Sequence, residues 1–298
     1  MPHAQQTPRT GPTLIAIDIG NTNIVIGIFR GRTLLSQWRL ATQAGRTADE
    51  YGLTVRELVR DLKPSTPSEG ILSSVVPNLT PVFQDVLNRY FRITPHVVTH
   101  ESPFGLTIAY PNPEEIGADR LVNAAAGYAA YGGPLIIVDF GTATTFCVVT
   151  ADGAYRGGVI APGVGISADA LTSRAAKLSK VEWVRPSTTI GRDTASSMQT
   201  GVIQGHACLV DGIVRLIQKE LGTRCRVVAT GGLTSLIEPA SECIDTVRPH
   251  LTLEGLVLIA ERLRHSGDLL ARSTGRILPR PRMSTGRPRR SKHPRAKP

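Results

Sequence analysis

LIAIDIGNTNIVIGIF at residues 14–29 and LIIVDFGTATTFCVVT at residues 135–150 share one plan: an apolar strand, Asp-x-Gly, short polar residues and a second apolar strand. Leu14 to Ile17 is apolar and β-branched enough to form a buried strand, which ends in Asp18. Gly20 lets the chain turn tightly and expose backbone N–H groups, and Asn21, Thr22 and Asn23 add short side chains able to donate to phosphate oxygens. The result is a hairpin whose tip carries one carboxylate and several donors. That tip suits the phosphates of a nucleotide and their Mg²⁺, an ion that keeps waters and takes only one or two carboxylates. An Asn/Gly turn between two strands accounts for a single copy. A second copy built on Asp139, Gly141, Thr142, Thr144 and Thr145 shifts the reading towards a duplicated phosphate-handling unit. VVATGG at 227–232 adds a third apolar strand running into glycines, where backbone can approach a ligand. Three such turns fit one nucleotide cleft between two halves.

The 298 residues allow two domains and the burial of roughly three quarters of the unfolded chain's surface. A formal net charge of +10 suggests nucleic acid until it is located along the chain. Residues 264–298 hold 11 of the 34 Lys and Arg side chains and one of the 24 acidic ones, a surplus of ten, while the other 263 residues carry 23 of each sign. The body is therefore formally neutral. The tail, rich in Pro and Arg and poor in apolar residues, reads as a disordered, solvated extension in preference to a nucleic-acid-binding arm. Residues 1–12, rich in Pro and Gly and without an apolar run, read as a second loose end. No signal-peptide core is present and no apolar stretch is long enough to span a bilayer, so the expectation is a soluble, cytoplasmic protein. Cys147, Cys208, Cys225 and Cys243 lack CxxC spacing, and Cys147 and Cys208 sit in apolar surroundings, so a packing role is expected instead of a zinc site or disulfides.

The pattern predicts strands at 14–19, 24–29 and 33–40, a helix over 47–62 capped by Thr47, a strand at 71–76, a helix over 81–91, a short strand at 97–99 and an Ala-rich helix over 119–131. From Pro134 the order recurs: strands at 135–140, 145–150 and 154–160, helices over 165–176 and 194–221, a strand at 225–229 and a last helix over 252–264. The expected architecture is α/β, mixed sheets flanked by helices and repeated once. Its boundaries fall at 13–132 and 133–263.

Between the halves lies YPNPEEIGADR, residues 110–120. Asp119 and Arg120 follow Gly117 at an expected helix N-terminus, where partly positive backbone favours anions. There a carboxylate can take a hydroxyl proton while the neighbouring guanidinium holds an acidic substrate or a phosphoryl group. A helix cap and a surface ion pair are the alternative account of the same two residues.

Together these segments resemble the type III pantothenate kinases, members of the acetate and sugar kinase, heat-shock chaperone and actin superfamily. DIGNTN at 18–23 resembles the first phosphate motif, DFGTATT at 139–145 the second, TGG at 230–232 the adenosine-side motif, and Tyr110 with GADR at 117–120 the pantothenate site; GGVIAPG at 157–163 and IGRDTASSMQTG at 190–201 also fit. The resemblance spans about residues 14–263. It implies two duplicated actin-like, ribonuclease H-like domains with a nucleotide cleft between them, and phosphorylation of pantothenate by ATP as the first step towards coenzyme A. It further implies Asp119 as general base, with Tyr110, Gly117, Ala118, Arg120 and Thr194 around pantothenate. Asp18, Ile19, Gly20, Asn21, Thr22, Asn23, Ile24 and Val25 would line ATP together with Thr142, with Asp18 near Mg²⁺. Asp139 would help hold a monovalent cation, K⁺ or NH₄⁺, near the interface of a homodimer. Two other roles stay open: another small-molecule kinase of the superfamily, and a non-catalytic accessory or regulatory protein of the same fold.

Overall fold

The computed structural model describes residues 11–62, 66–175, 178 and 180–267. The extension up to residue 10 and the basic segment from residue 268 onward lie outside the described residues.

The first half is built from β1 (Thr13–Ile19), β2 (Asn23–Arg30), β3 (Thr33–Ala41), α1 (Ala48–Val59), β4 (Glu69–Ser74), α2 (Leu79–Val86), β5 (His96–Val97), β6 (Thr107–Ile108) and α3 (Ala118–Tyr131). The second half comprises β7 (Leu135–Phe140), β8 (Ala143–Val149), β9 (Ala154–Pro162), α4 (Val164–Arg174), α5 (Thr194–Gln199), α6 (Gly205–Leu221), β10 (Arg226–Thr230), α7 (Thr234–Ile237), β11 (Thr246–Val247) and α8 (Leu251–Ser266). Thr47 caps α1 as expected, its side chain accepting from Glu50 N while Glu50 reaches back to Thr47 N.

The two sheets repeat one topology. The first runs β3-β2-β1-β4-β5 and the second β9-β8-β7-β10-β11, with β6 added beyond β9. In each, the first three strands form an antiparallel meander, and the next two join in parallel. Strand parity then sorts the side chains into layers. Ile15, Ile17 and Ile19 face an outer core with α1 and α2, whereas Leu14 and Ala16 face inward. In β7, Ile136, Val138 and Phe140 face an outer core with α4, α6 and α7, whereas Leu135 and Ile137 face inward. The inward faces meet one shared core made with α3 and α8, which pack on each other. The molecule is thus a stack of helices, sheet, helices, sheet, helices. With both faces of each sheet covered, β1 and β7 read as nearly unbroken apolar runs.

One expectation is corrected. Cys208 is exposed, not packed in an apolar environment. The buried stripe of α6 runs through His206, Ala207, Val210, Asp211 and Val214, and position 208 is turned off that stripe. Arg264, where the expected helix over 252–264 meets the basic tail, is in the last turns of α8, and its guanidinium binds the Glu69 carboxylate at 2.6 Å. Among the described residues no helix is long and apolar enough to cross a membrane.

Candidate active site

Parity decides where the two motif aspartates point. Asp18 and Asp139 sit one alternation beyond Ala16 and Ile137, so both carboxylates turn to the middle layer, where α3 begins. Asp119, the second residue of α3, brings a third carboxylate to the same place. The three are close enough to act on one another electrostatically. Burial, reinforced by the charge of Asp119 and then of Asp139, pushes the Asp18 carboxyl up to about 7, against the hydrogen bond from Ser73 and the charge of Arg39. Burial, again with Asp119, raises Asp139 to about 7. Asp119 is also raised, by burial, although the backbone N–H and the charge of Arg120 pull the other way. Three buried acids whose proton affinity is raised beside one another mark a candidate functional site.

Each acid is fixed by a neighbour. Ser73 Oγ donates to Asp18 Oδ1 at 2.6 Å, and Asn123 Nδ2 donates to Asp139 Oδ2 at 2.9 Å. Asn123 Oδ1 in turn accepts from Thr252 Oγ1 at 2.8 Å, so α8 steadies the α3 side chain that holds Asp139. Asp119 Oδ1 accepts the Arg120 N–H at 2.8 Å, which draws the carboxylate back over the first turn of α3. Gly117 is the N-cap of that helix and makes no side-chain cap.

The two motif turns are near copies. The first turn is Gly20-Asn21-Thr22 and the second, one residue shorter, is Gly141-Thr142; the strands after them show the same succession of buried and partly buried positions. Thr22 and Thr142 each stand just before the returning strand, and their hydroxyls are 2.8 Å apart. Thr42 pins the first turn, donating from Oγ1 to Gly20 O at 2.6 Å and from N to Thr22 O at 3.0 Å. Thr144, buried at the base of the second, bonds His206 Nε2 at 2.8 Å. Burial lowers the His206 pKa, so that ring is neutral at pH 7. The turn after β10 joins the pair: Gly231, at φ +98°, approaches so closely that a Cβ there would lie 2.5 Å from Asp139 Oδ1.

On the other side of Asp119 lies Arg120. Its Nε is buried and has no acceptor among the described residues. A buried donor left without a partner is costly, and an acceptor oxygen of a bound group, a carboxylate or phosphate above all, would satisfy it. Behind it Tyr155 Oη donates to Cys147 Sγ at 3.7 Å, and burial pushes both of these groups up, so they stay neutral beside the guanidinium. The Tyr110 ring lies against Gly157, where a Cβ would meet it at 3.0 Å.

The structure thus brings together Asp18, Asp119 and Asp139, joins the turns that carry Thr22 and Thr142, and sets Arg120 beside Asp119. It does not join Thr194 to that group: Thr194 is exposed and lines a separate hollow with Leu171, Arg192 and Met198. Ser73, Asn123, Thr252, Thr42 and His206 carry no motif and were missed. One signal was available, a lone Asn in the Ala-rich stretch LVNAAAG. Among the described residues, no group of three or more His, Cys, Asp or Glu is arranged to hold a metal ion unaided. Acids in this arrangement fit a cation whose remaining ligands are phosphate oxygens and water.

The family model of the type III pantothenate kinases matches residues 14–216. The type III pantothenate kinase of Roseiflexus sp. (strain RS-1) is 52% identical over 254 residues, covering 84% of this chain and 99% of that protein. That of Roseiflexus castenholzii is 51% identical over 253 residues with the same coverage. Among solved structures, an activator of 2-hydroxyisocaproyl-CoA dehydratase from Clostridium difficile with bound ADPNP superposes with a TM-score of 0.51 at 14% identity, over 86% of this chain and 97% of that one. That last likeness is one of fold, the paired actin-like sheets flanked by helices. On sequence, the chain belongs to the type III pantothenate kinase family.

Proposed function

We propose that this protein transfers the γ-phosphoryl group of ATP to the terminal hydroxyl of pantothenate, giving 4′-phosphopantothenate, the first committed intermediate of coenzyme A synthesis. The observation that carries this reading is the pairing of Asp119 with the unpartnered Arg120 Nε at the start of α3, beside two facing phosphate turns.

Phosphoryl transfer needs alignment and neutralised charge more than covalent chemistry. The backbone N–H groups and hydroxyls of Gly20 to Asn23, with Thr142, hold the phosphates between the hairpin tips. Arg120 holds the pantothenate carboxylate, and Tyr110, Gly117 and Ala118 shape the cavity around the chain that leads from it. Asp119 receives the hydroxyl proton as the oxygen attacks; its burial raises its proton affinity and suits it to that task. Mg²⁺ beside Asp18 and K⁺ or NH₄⁺ beside Asp139 supply positive charge against the phosphates when bound.

The protein works as a homodimer in this reading. Ile160, Ile166, Leu171, Val184 and Ile190 are large apolar residues exposed within one stretch of the second half, the kind of surface a second copy covers. Thr194 borders that stretch, and a second copy would carry it to the pantothenate of its neighbour.

The test is ATP-dependent phosphorylation of pantothenate by purified protein with Mg²⁺, in parallel with K⁺, NH₄⁺ or Na⁺ as the sole monovalent cation. Turnover with K⁺ or NH₄⁺ that fades with Na⁺ is expected. Turnover independent of the cation would remove that role from Asp139, and no turnover under any cation would favour the accessory role.

A further inference from the structure

The nucleotide reading leaves a charge unaccounted for. Neither hairpin, 14–29 or 135–150, nor the TGG turn contains a Lys or Arg, yet the cleft they form gathers three carboxylates and is to receive a polyphosphate. Backbone donors and cations in solution do part of the neutralising. A fixed cation on the ATP side is missing from every motif.

The sheet register supplies one. Asp18 pairs across β1 and β2 with Val25, and Val25 pairs across β2 and β3 with Arg39. Cross-strand partners share a face, so Arg39 projects to the same inward side as Asp18, two strands or roughly 10 Å away. Val25 packs against the shared middle core, which fixes that side, while Trp38 and Leu40 on either side of Arg39 pack in the outer core. From there the guanidinium reaches the opposite half of the molecule. A Cβ built on Gly232 would lie 3.2 Å from Arg39 Nη1 and 4.0 Å from Nη2, so the group lies over the glycine of the turn that follows β10. Gly232 leaves room for it. Among the described residues Arg39 makes no hydrogen bond or ion pair, and the residue is exposed.

We propose that Arg39 is a nucleotide-binding residue, its guanidinium spanning the cleft from β3 to Gly232 and binding the polyphosphate of ATP. This rests on the kinase reading above. The planar, permanently charged fork suits two phosphate oxygens at once, which a Lys at the same position would not reproduce. The charge of Arg39 is also felt at Asp18, where it favours the carboxylate.

Arg39→Ala and Arg39→Lys test the assignment in the full-length protein. In steady-state kinetics, Arg39→Ala is expected to raise KM for ATP at least tenfold while leaving KM for pantothenate within twofold, with Arg39→Lys in between. Calorimetric titration without pantothenate gives an independent readout: MgADP and MgATP should bind the Ala variant at least tenfold more weakly than wild type, and adenosine should bind both equally. Unchanged ATP and ADP affinity, or an equal loss for adenosine, would overturn the proposal. Wild-type protein without turnover would remove the kinase reading while the titrations still decide whether Arg39 holds phosphate. Thermal melting of both variants close to wild type is expected at this exposed position. If the Ala variant melts early, the Lys variant carries the same comparison.

Discussion

At the residue scale the candidate site is a compromise between stability and chemistry. Asp18 and Asp139 are each raised to about 7 in the folded protein, from an ordinary value near 3.8. Between those values the folded state keeps a proton that the unfolded chain has lost, so stability falls as pH rises from about 4 to about 7 and is level beyond. Asp139→Asn removes one such group and leaves Asn123 a carbonyl to bind. The variant should melt increasingly above wild type across that window, by an amount worth roughly 1–3 kcal/mol once partial exposure is allowed for, or several degrees. A melting difference that does not change with pH would refute the burial account. Asp119→Asn should leave the fold intact and lower kcat by about 10²–10⁴ if Asp119 is the base. Near-normal kcat with a native melt would dismiss that role. The two motif aspartates and Asp119 were legible in the sequence because each sits in a repeated or glycine-marked turn. Ser73, Asn123 and Arg39 were not, because cross-strand register and helix packing bring them in, and neither leaves a local signature.

At the scale of elements, the long strands and helices were legible to within a few residues, since apolar runs and capping chemistry mark them. The two-residue strands β6 and β11 were not, being too short to hold a period. The expected end of α8 at residue 264 lies two residues short of the observed one, and Arg264 in its last turns binds Glu69 on β4. The Glu69 and Arg264 side chains are only 10% and 22% exposed, so removing Arg264 would leave a largely buried carboxylate without its partner. A chain ending after Gly267 should therefore melt with wild type. One ending before Arg264 should lose about 1–2 kcal/mol and melt a few degrees lower. Equal melting of the two truncated proteins would show that the last turn of α8 contributes nothing.

At the scale of the whole molecule, the repeat in sequence suggests two domains, and the packing argues for one folding unit. The inward faces of both sheets share a single core: Leu14 and Ile71 from the first, Ile137 and Val149 from the second, with Leu121 of α3 and Leu256 of α8 between them. Helix α3 belongs by sequence to the first half yet packs on β7 and β8; α8 belongs to the second and packs on β1, β2 and β4. Cutting the chain between 132 and 133 would leave the inward face of each sheet without one of the two helices of the middle layer. The left piece would lose α8, and the right piece would lose α3 together with the Asn123 that holds Asp139. Calorimetry of the intact protein should therefore show one transition, with calorimetric and van't Hoff enthalpies in a ratio near one. Residues 13–132 and 133–263 expressed apart should each lack a cooperative melt, and mixing them should restore one. Two resolved transitions in the intact chain, or a cooperative melt of either half alone, would show that the halves are independent domains and that the shared middle layer is a docking surface between them.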